Sequence, residues 1–256
     1  MLVLNIESKI VSYLNMNNEF EILNWDSEFF HKKIASVILR KSDDNFLKRT
    51  LFECEEIGVE LIYLFIEEGV SISFSLLNGY NHILVDNKVI YKTKSITDND
   101  LDYHISEYNG PSELLYNLAM QAGAKSRYRI DKNFTKGDFE RLYRTWINNS
   151  VNHTIADKVL VYRKQNKIIG FITLKIDKEE SKIGLIASDP EYRKKGIGTA
   201  LVRACKYYAY NAKSQSLSVA TQKENDRACS FYMKNQFEKF METTVIHVWI
   251  NPDNCK

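Results

Sequence analysis

Hydrophobic positions run together or alternate in some parts of the chain and recur at three- and four-residue intervals in others. Glu60–Glu67 (ELIYLFIE) is apolar nearly throughout, as expected of a strand buried on both faces, and Ile34–Arg40 alternates like a second strand. Between them Phe46, Leu47, Leu51, Phe52 and Cys54 keep helical spacing over Asp43–Gly58, with Gly58 as the stop. Phe20–Asn24 reads as a short strand, and Asp26 or Ser27 can cap a helical turn carrying Phe29 and Phe30. A short helix over Val70–Leu77 follows, then one or two strands over His82–Ile96, broken near Asp86-Asn87. This order, β-α-β-α-β, predicts a small α/β unit.

Asp98–Gly110 is polar and turn-rich, and Pro111 suits a helix start, so the boundary is placed between residues 1–110 and 111–256. Beyond it Phe139, Leu142, Tyr143, Trp146 and Ile147 line one side of a helix over Thr135–Val151. Lys158–Arg163 and Lys167–Ile176 flank Gln165-Asn166 as a hairpin, and Asp177–Lys182 turns into a strand at Ile183–Ser188. A helix over Ile197–Asn211, a strand at Leu217–Ala220, a helix over Asn225–Asn235, and two strands around Phe237–Met241 and Thr243–Ile250 complete the pattern. The fold class is α/β (α+β): a mixed, mostly antiparallel sheet flanked by helices.

Composition narrows the classes. Thirty-five basic residues face 33 acidic ones in 256, a formal net charge of +2 without a basic stripe, which argues against a nucleic-acid binder. No apolar run approaches a membrane span, and Leu2–Ile10 is too short and polar for a signal segment. Cys54, Cys205, Cys229 and Cys255 show no C-x-x-C spacing and read as reduced thiols of a cytoplasmic protein. Five scattered histidines give no metal-ligand spacing, so no metal is expected.

The candidate chemistry lies in Ile183–Arg203, IGLIASDPEYRKKGIGTALVR. A strand passes through Arg193-Lys194-Lys195-Gly196-Ile197-Gly198 into a helix, so backbone N–H groups and the positive helix end converge on one spot. That is a receptor for phosphate oxygens, although two glycines can equally make a plain tight turn. It lacks the third glycine of a dinucleotide fingerprint and the G-K-[ST] of a P-loop. Asn225 and Tyr232 lie seven residues apart, on one helix face and about 10 Å apart along the axis. Alone, Asn225 reads equally as an N-cap and Tyr232 as a half-buried core tyrosine.

Together, Arg193-x-x-Gly196-x-Gly198 after one strand and Asn225-x-x-Ala228-x-x-Phe231-Tyr232 after the next resemble the GNAT N-acetyltransferase superfamily over about residues 125–250. Gln236 departs from the glycine many members carry before the phenylalanine matching Phe237. A narrower resemblance, to the TDP-4-amino-4,6-dideoxygalactose (TDP-fucosamine) N-acetyltransferases, is carried by Asn24-Trp25-Asp26-Ser27-Glu28-Phe29-Phe30, Ser126-Arg127-Tyr128, Tyr143-x-x-Trp146-Ile147, Lys182–Ala187 and Val219–Gln222. Those enzymes place a partial GNAT-like domain before a complete one, in agreement with the α/β pattern over residues 20–96.

The resemblance implies acetyl-CoA as cosubstrate, seated between the strand ending at Ser188 and the next strand. Ile186 and Ser188 would pair with the pantetheine arm, and the amides of Lys195, Gly196, Ile197, Gly198 and Thr199 would hold the pyrophosphate beside Arg193. Asn225 would touch the pantetheine. Tyr232 is the implied general acid, and Asp86, which also reads as a turn residue, is the implied base. Ser126, Arg127, Tyr128, Tyr143 and Trp146 would line a nucleotide-sugar side, with core packing the competing role for Tyr143 and Trp146. The implied function is N-acetylation of a nucleotide-linked amino sugar for bacterial surface polysaccharide, with a homodimer compatible. Acetylation of a peptide or protein amine, and a non-catalytic acyl-CoA-binding module, are the alternatives.

Overall fold

A computed structural model describes residues 17–94 and 101–250, so the expectations for Leu2–Ile10 and Cys255 fall outside the described residues. The chain divides into two compact units, residues 1–88 with 241–256 and residues 89–240. Two strands, β4 (Asn81–Thr93) and β10 (Glu238–Trp249), contribute residues to both.

In the first unit β1 (Glu19–Ile22), α1 (Asn24–Phe30), β2 (Ile34–Leu39), α2 (Asp44–Glu56) and β3 (Leu61–Glu67) precede β4. The strand order is β1-β2-β3-β10-β4. β2 and β3 are parallel, joined through α2, and both are buried almost throughout, as the apolar run at residues 60–67 predicts. Asp43 caps α2 by accepting from Phe46 N–H at 2.8 Å. Leu47, Leu51 and Cys54 then pack on Val37, Ile62 and Leu64.

Two expectations change here. The helix over Val70–Leu77 shrinks to one 3-10 turn at Phe74–Leu77. Ser71 and Ser73 give their N–H groups to Ser42 Oγ (2.9 Å) and Asp44 Oδ1 (3.0 Å), so side-chain acceptors have displaced helical ones. β4 runs unbroken through Asp86-Asn87. Pairing with a neighbour overrides the turn preference of that dipeptide, and Asn87 Oδ1 accepts from Thr244 Oγ1 of β10 at 3.3 Å.

The second unit contains β5 (Ile105–Glu107), in a segment whose polar, turn-rich composition predicts turn, then α3 (Tyr116–Ala122), α4 (Arg127–Ile130) and α5 (Lys136–Val151). It continues with β6 (Lys158–Lys164), β7 (Lys167–Lys175), β8 (Glu180–Ser188), α6 (Ile197–Asn211), β9 (Ser216–Gln222) and α7 (Asp226–Lys234). Its strand order is β4-β9-β8-β7-β6-β5. β5 to β8 pair antiparallel, while β8 and β9 are parallel with α6 as the crossover. Gln165 (φ 48) and Asn166 (φ 64) make the expected hairpin turn, and Thr135 with Asp138 forms a capping box on α5. The sheet buries Leu160, Ile172 and Ile183 against α6 and α7 on one face. On the other, Val161 and Phe171 pack with Leu118 of α3 and Ile147 of α5. The end of the chain is one strand, β10, rather than two.

Candidate active site

The central feature is where β8 and β9 stop pairing. Their parallel register runs from Glu180↔Ser216 to Ile183↔Val219, although β8 continues to Ser188 and β9 to Gln222. The cause lies on the other side of β8. Between Ile172↔Ile186 and Leu174↔Ile183 the β7–β8 register shifts, so Gly184 and Leu185 together oppose Thr173. This β-bulge turns the second half of β8 away from β9. Leu185 N–H donates to Thr173 Oγ1 at 2.8 Å, and a Cβ on Gly184 would lie 2.7 Å from that oxygen. Any side chain there would force Thr173 to shift.

The bulge opens a backbone edge. Asp189 N–H donates to Ile169 O on β7 at 2.8 Å, so by strand alternation Ala187 also faces β7. Ile186 and Ser188 therefore turn their N–H and C=O groups toward the gap, where an amide-bearing chain can pair as an added strand would.

β8 leads into a loop whose strain serves the next helix. Asp189 accepts from Glu191 N–H, Lys194 has φ 60, and Gly196 (φ 82) is the N-cap of α6. Glycine has no side chain to cap with, and the first intrahelical bond is Ala200 N–H to Gly196 O at 2.9 Å. The N–H groups of Ile197, Gly198 and Thr199 thus keep their donors for a ligand, at the positive end of α6. The helix start is held tightly. A Cβ on Gly170 would meet Ile197 Cγ2 at 2.8 Å, and one on Gly198 would meet the Phe231 ring at 3.1 Å. The surroundings are basic: Lys164, Lys167 and Lys195 have Nζ 5.7, 5.4 and 5.0 Å from the centre of the Tyr192 ring. Lys195 Nζ also donates to Glu191 O at 3.3 Å. Lys167 pairs with Asp189 at 3.0 Å, which lowers the Asp189 carboxyl and raises the Lys167 amine.

α7 carries the remaining residues. Asn225 is its N-cap, with Oδ1 accepting from Ala228 N–H at 3.3 Å. Tyr232 is 4% exposed among the rings of Tyr91, Phe231 and Phe237, with centroids 5.9, 5.3 and 5.8 Å away. Burial, with a smaller contribution from Cys229, pushes its phenol far above the ordinary tyrosine value. The last turn of α7 is pinned by a buried amine. Lys206 Nζ donates to the Asn235 carbonyl at 2.7 Å, and Asn235 N–H in turn bonds Tyr232 O at 2.9 Å. Burial lowers the Lys206 amine.

The turn after α3 touches both walls of the gap. Lys125 Nζ donates to Glu224 O in the β9–α7 loop, and Arg193 Nη2 donates to Gln121 Oε1 at 3.4 Å. Sequence reading missed Lys125, Gln121, Thr173 and Lys206, whose roles depend on partners 12 to 99 positions away in the chain. Gly184, within an apolar strand, was the one local signal of a bulge.

The sequence-derived acceptor residues form a packed ring cluster. Tyr128 and Tyr143 are buried, Trp146 lies 4.8 Å from Tyr143 and 6.4 Å from Tyr128 by centroids, and a Cβ on Gly123 would strike the Tyr143 ring at 2.3 Å. Ser126 caps α4, and Arg127 Nη2 donates to Tyr128 OH at 2.8 Å. Asp86 is half-buried in mid-strand in the first unit. Cys54, Cys205 and Cys229 are free thiols, with burial pushing Cys54 up to about 12 and Cys205 higher. Among the described residues no group of three or more His, Cys, Asp or Glu could hold a metal ion, and no helix is long and apolar enough to cross a membrane.

A parallel strand pair that parts over a bulge, a glycine-capped helix beside it and a buried tyrosine on the next helix make up the candidate site. Residues 124–237 match the model of the acetyltransferase (GNAT) family. The chain is similar to the spore coat polysaccharide biosynthesis protein SpsD of Bacillus subtilis (strain 168), 24% identical over 140 residues, 55% of this chain and 48% of SpsD. The chain spans about half the length of the curated relatives it matches. Its fold is shared with a functionally unknown conserved protein from Staphylococcus epidermidis ATCC 12228 (TM-score 0.61, 11% identity, 93% and 92% of the two chains covered). It is shared too with a GCN5-related N-acetyltransferase from Sphaerobacter thermophilus (TM-score 0.56, 14% identity, 92% and 77% covered).

Proposed function

We propose that this chain transfers the acetyl group of acetyl-CoA to the amine of a nucleotide-linked amino sugar such as a TDP-4-amino-4,6-dideoxyhexose, in surface-polysaccharide synthesis. The observation that carries the transferase reading is the open edge of Ile186 and Ser188 beside the uncapped amides of α6, which fits an amide-bearing arm ending in a pyrophosphate. The sugar reading rests on the similarity to SpsD and on the residues resembling the TDP-fucosamine N-acetyltransferases.

In this reading the amine nitrogen attacks the thioester carbonyl carbon directly. The C–N bond forms, the C–S bond breaks, and the CoA sulfur leaves with the electron pair. Tyr232 donates a hydrogen bond or its proton to that sulfur. A thiol titrates near about 8.5 and tyrosine near about 10, so complete transfer is uphill by about 2 kcal/mol before any shift. Burial of Tyr232 raises that cost, so hydrogen-bond stabilisation of the developing thiolate is the favoured role. Asp86 is the candidate acceptor of the amine proton.

Product mass spectrometry with acetyl-CoA and a panel of TDP- and UDP-amino sugars, alongside peptide amines, tests the proposal. The mass gain of one acetyl group in place of one hydrogen, on a nucleotide sugar alone, supports it. Transfer to peptide amines alone, or to no acceptor, contradicts it.

A further inference from the structure

α7 ends in a left-handed turn built without glycine. Gln236 has φ 66, its N–H bonds Met233 O at 3.0 Å, and Phe237 N–H bonds Tyr232 O at 3.1 Å. These two bonds are the Schellman pattern, and Tyr232 supplies the carbonyl that closes its wider ring. The apolar contact that accompanies the pattern is Phe237 against Tyr232, with ring centroids 5.8 Å apart. The end of the helix therefore seats the phenol. That end is strained, because a side chain in the left-handed region meets a clash that glycine escapes. The helix has only 9 residues, and the last turn of so short a helix frays unless something outside it holds it.

Lys206 of α6 meets this turn. Its Nζ donates to the carbonyl of Asn235, the residue just before Gln236, at 2.7 Å, and sits 5.2 Å from the centre of the Phe237 ring. Asn235 passes the restraint back into the helix: its N–H bonds Tyr232 O at 2.9 Å, and its Nδ2 donates to Phe231 O at 2.8 Å. A buried ammonium is costly to desolvate, so an apolar side chain would serve better if packing were the only need. A cation at a helix C-terminus is where the macrodipole favours one. Lys206 thus ties the end of α7 to the helix whose first amides face the gap, about 14 Å along the axis from Ile197.

We propose that Lys206 is a positioning residue for acetyl transfer: it holds the strained end of α7 and so aims the Tyr232 hydroxyl at the departing sulfur. It acts through Asn235 and Tyr232 and touches neither substrate. This rests on the role of Tyr232 in the function proposed above.

The test is steady-state transfer from acetyl-CoA to a TDP-4-amino-4,6-dideoxyhexose by wild type, Lys206→Met, Gln236→Gly, Tyr232→Phe and the double variants, with melting temperatures alongside. Lys206→Met should lower kcat about tenfold or more, as a small misplacement of a reacting group does, while the KM for acetyl-CoA stays within about twofold. Gln236→Gly relieves the strained turn but adds no tie to α6. In the Lys206→Met background it should raise the melting temperature without restoring kcat, and it carries the comparison if Lys206→Met alone does not fold. In the Tyr232→Phe background Lys206→Met should cost no more than about twofold, because the hydroxyl it aims is gone. Three results would each reduce Lys206 to a stabilising contact and overturn the proposal. They are a wild-type kcat in Lys206→Met, a kcat that Gln236→Gly restores together with the melting temperature, and full additivity with Tyr232→Phe. A Tyr232→Phe protein at the wild-type rate, or a wild type inactive on the TDP-amino sugar, would instead contradict the function proposed above, and this inference with it.

Discussion

Gly184 and Thr173 face each other across β8 and β7 so closely that a methyl group on the glycine would come within 2.7 Å of the threonine oxygen. The bulge this contact fixes is what parts β8 from β9. Gly184→Ala should lower stability by about 1–3 kcal/mol through overpacking and weaken acetyl-CoA binding at least several-fold. Thr173→Val removes the acceptor for Leu185 N–H and should cost about 1–3 kcal/mol. Denaturant unfolding and CoA calorimetry on both variants check this. A Gly184→Ala protein with unchanged stability and CoA affinity would show that the bulge does not shape the gap.

Gly196 sits at φ 82 at the head of α6. Gly196→Ala places a Cβ in a left-handed conformation costing about 1–2 kcal/mol. The account expects loss of CoA affinity larger than the loss of stability, because the loop must rearrange to relieve the strain. Comparing CoA dissociation constants with unfolding free energies for this variant separates the two.

Much of the local structure around the candidate site was readable in the sequence because it is local in the chain. The β8–loop–α6 segment and the Asn225–Tyr232 spacing each lie within one strand–turn–helix, where glycine and capping preferences act over a few residues. Asn225 is the N-cap that its residue type suggested, and it faces its helix start whether or not it also meets a ligand. The bulge was not readable, since it depends on Thr173, eleven positions before Gly184 and on another strand. The helix expected at Val70–Leu77 failed for the same kind of reason: Asp44 and Ser42, far back in the chain, take its amides. In Asp86-Asn87 a turn-prone dipeptide was carried through by the strands around it.

Lys206 is 4% exposed, and burial depresses its amine below the ordinary lysine value. Between its folded value and the unfolded value of about 10.4 the unfolded chain binds more protons, so this group makes stability rise with pH across that window. Lys206→Met should remove the pH-dependent part while leaving the Asn235 carbonyl unmet, a loss of about 1–3 kcal/mol. Unfolding free energies of both proteins from pH 7 to 10 check the sign. A wild-type minus variant difference that falls with pH contradicts it.

The raised phenol of Tyr232 fixes the shape of the rate profile. A tyrosine whose pKa is pushed up stays protonated at every pH below its ordinary value near 10, so its donor is present throughout that range. The rate should climb as the acceptor amine loses its proton and then stay level to about pH 10. Steady-state rates from pH 6 to 10 measure this, and a descending limb between pH 7 and 9 that disappears in Tyr232→Phe would contradict it.

The most direct test is the turnover of Tyr232→Phe at saturating acetyl-CoA, followed by release of free CoA with a TDP-4-amino-4,6-dideoxyhexose as acceptor. Loss of the hydroxyl should lower kcat by about 10²–10⁴-fold while the KM for acetyl-CoA stays within about twofold of wild type. A variant that turns over at the wild-type rate would show that Tyr232 only fills the core beneath the gap, and that the chemistry lies elsewhere.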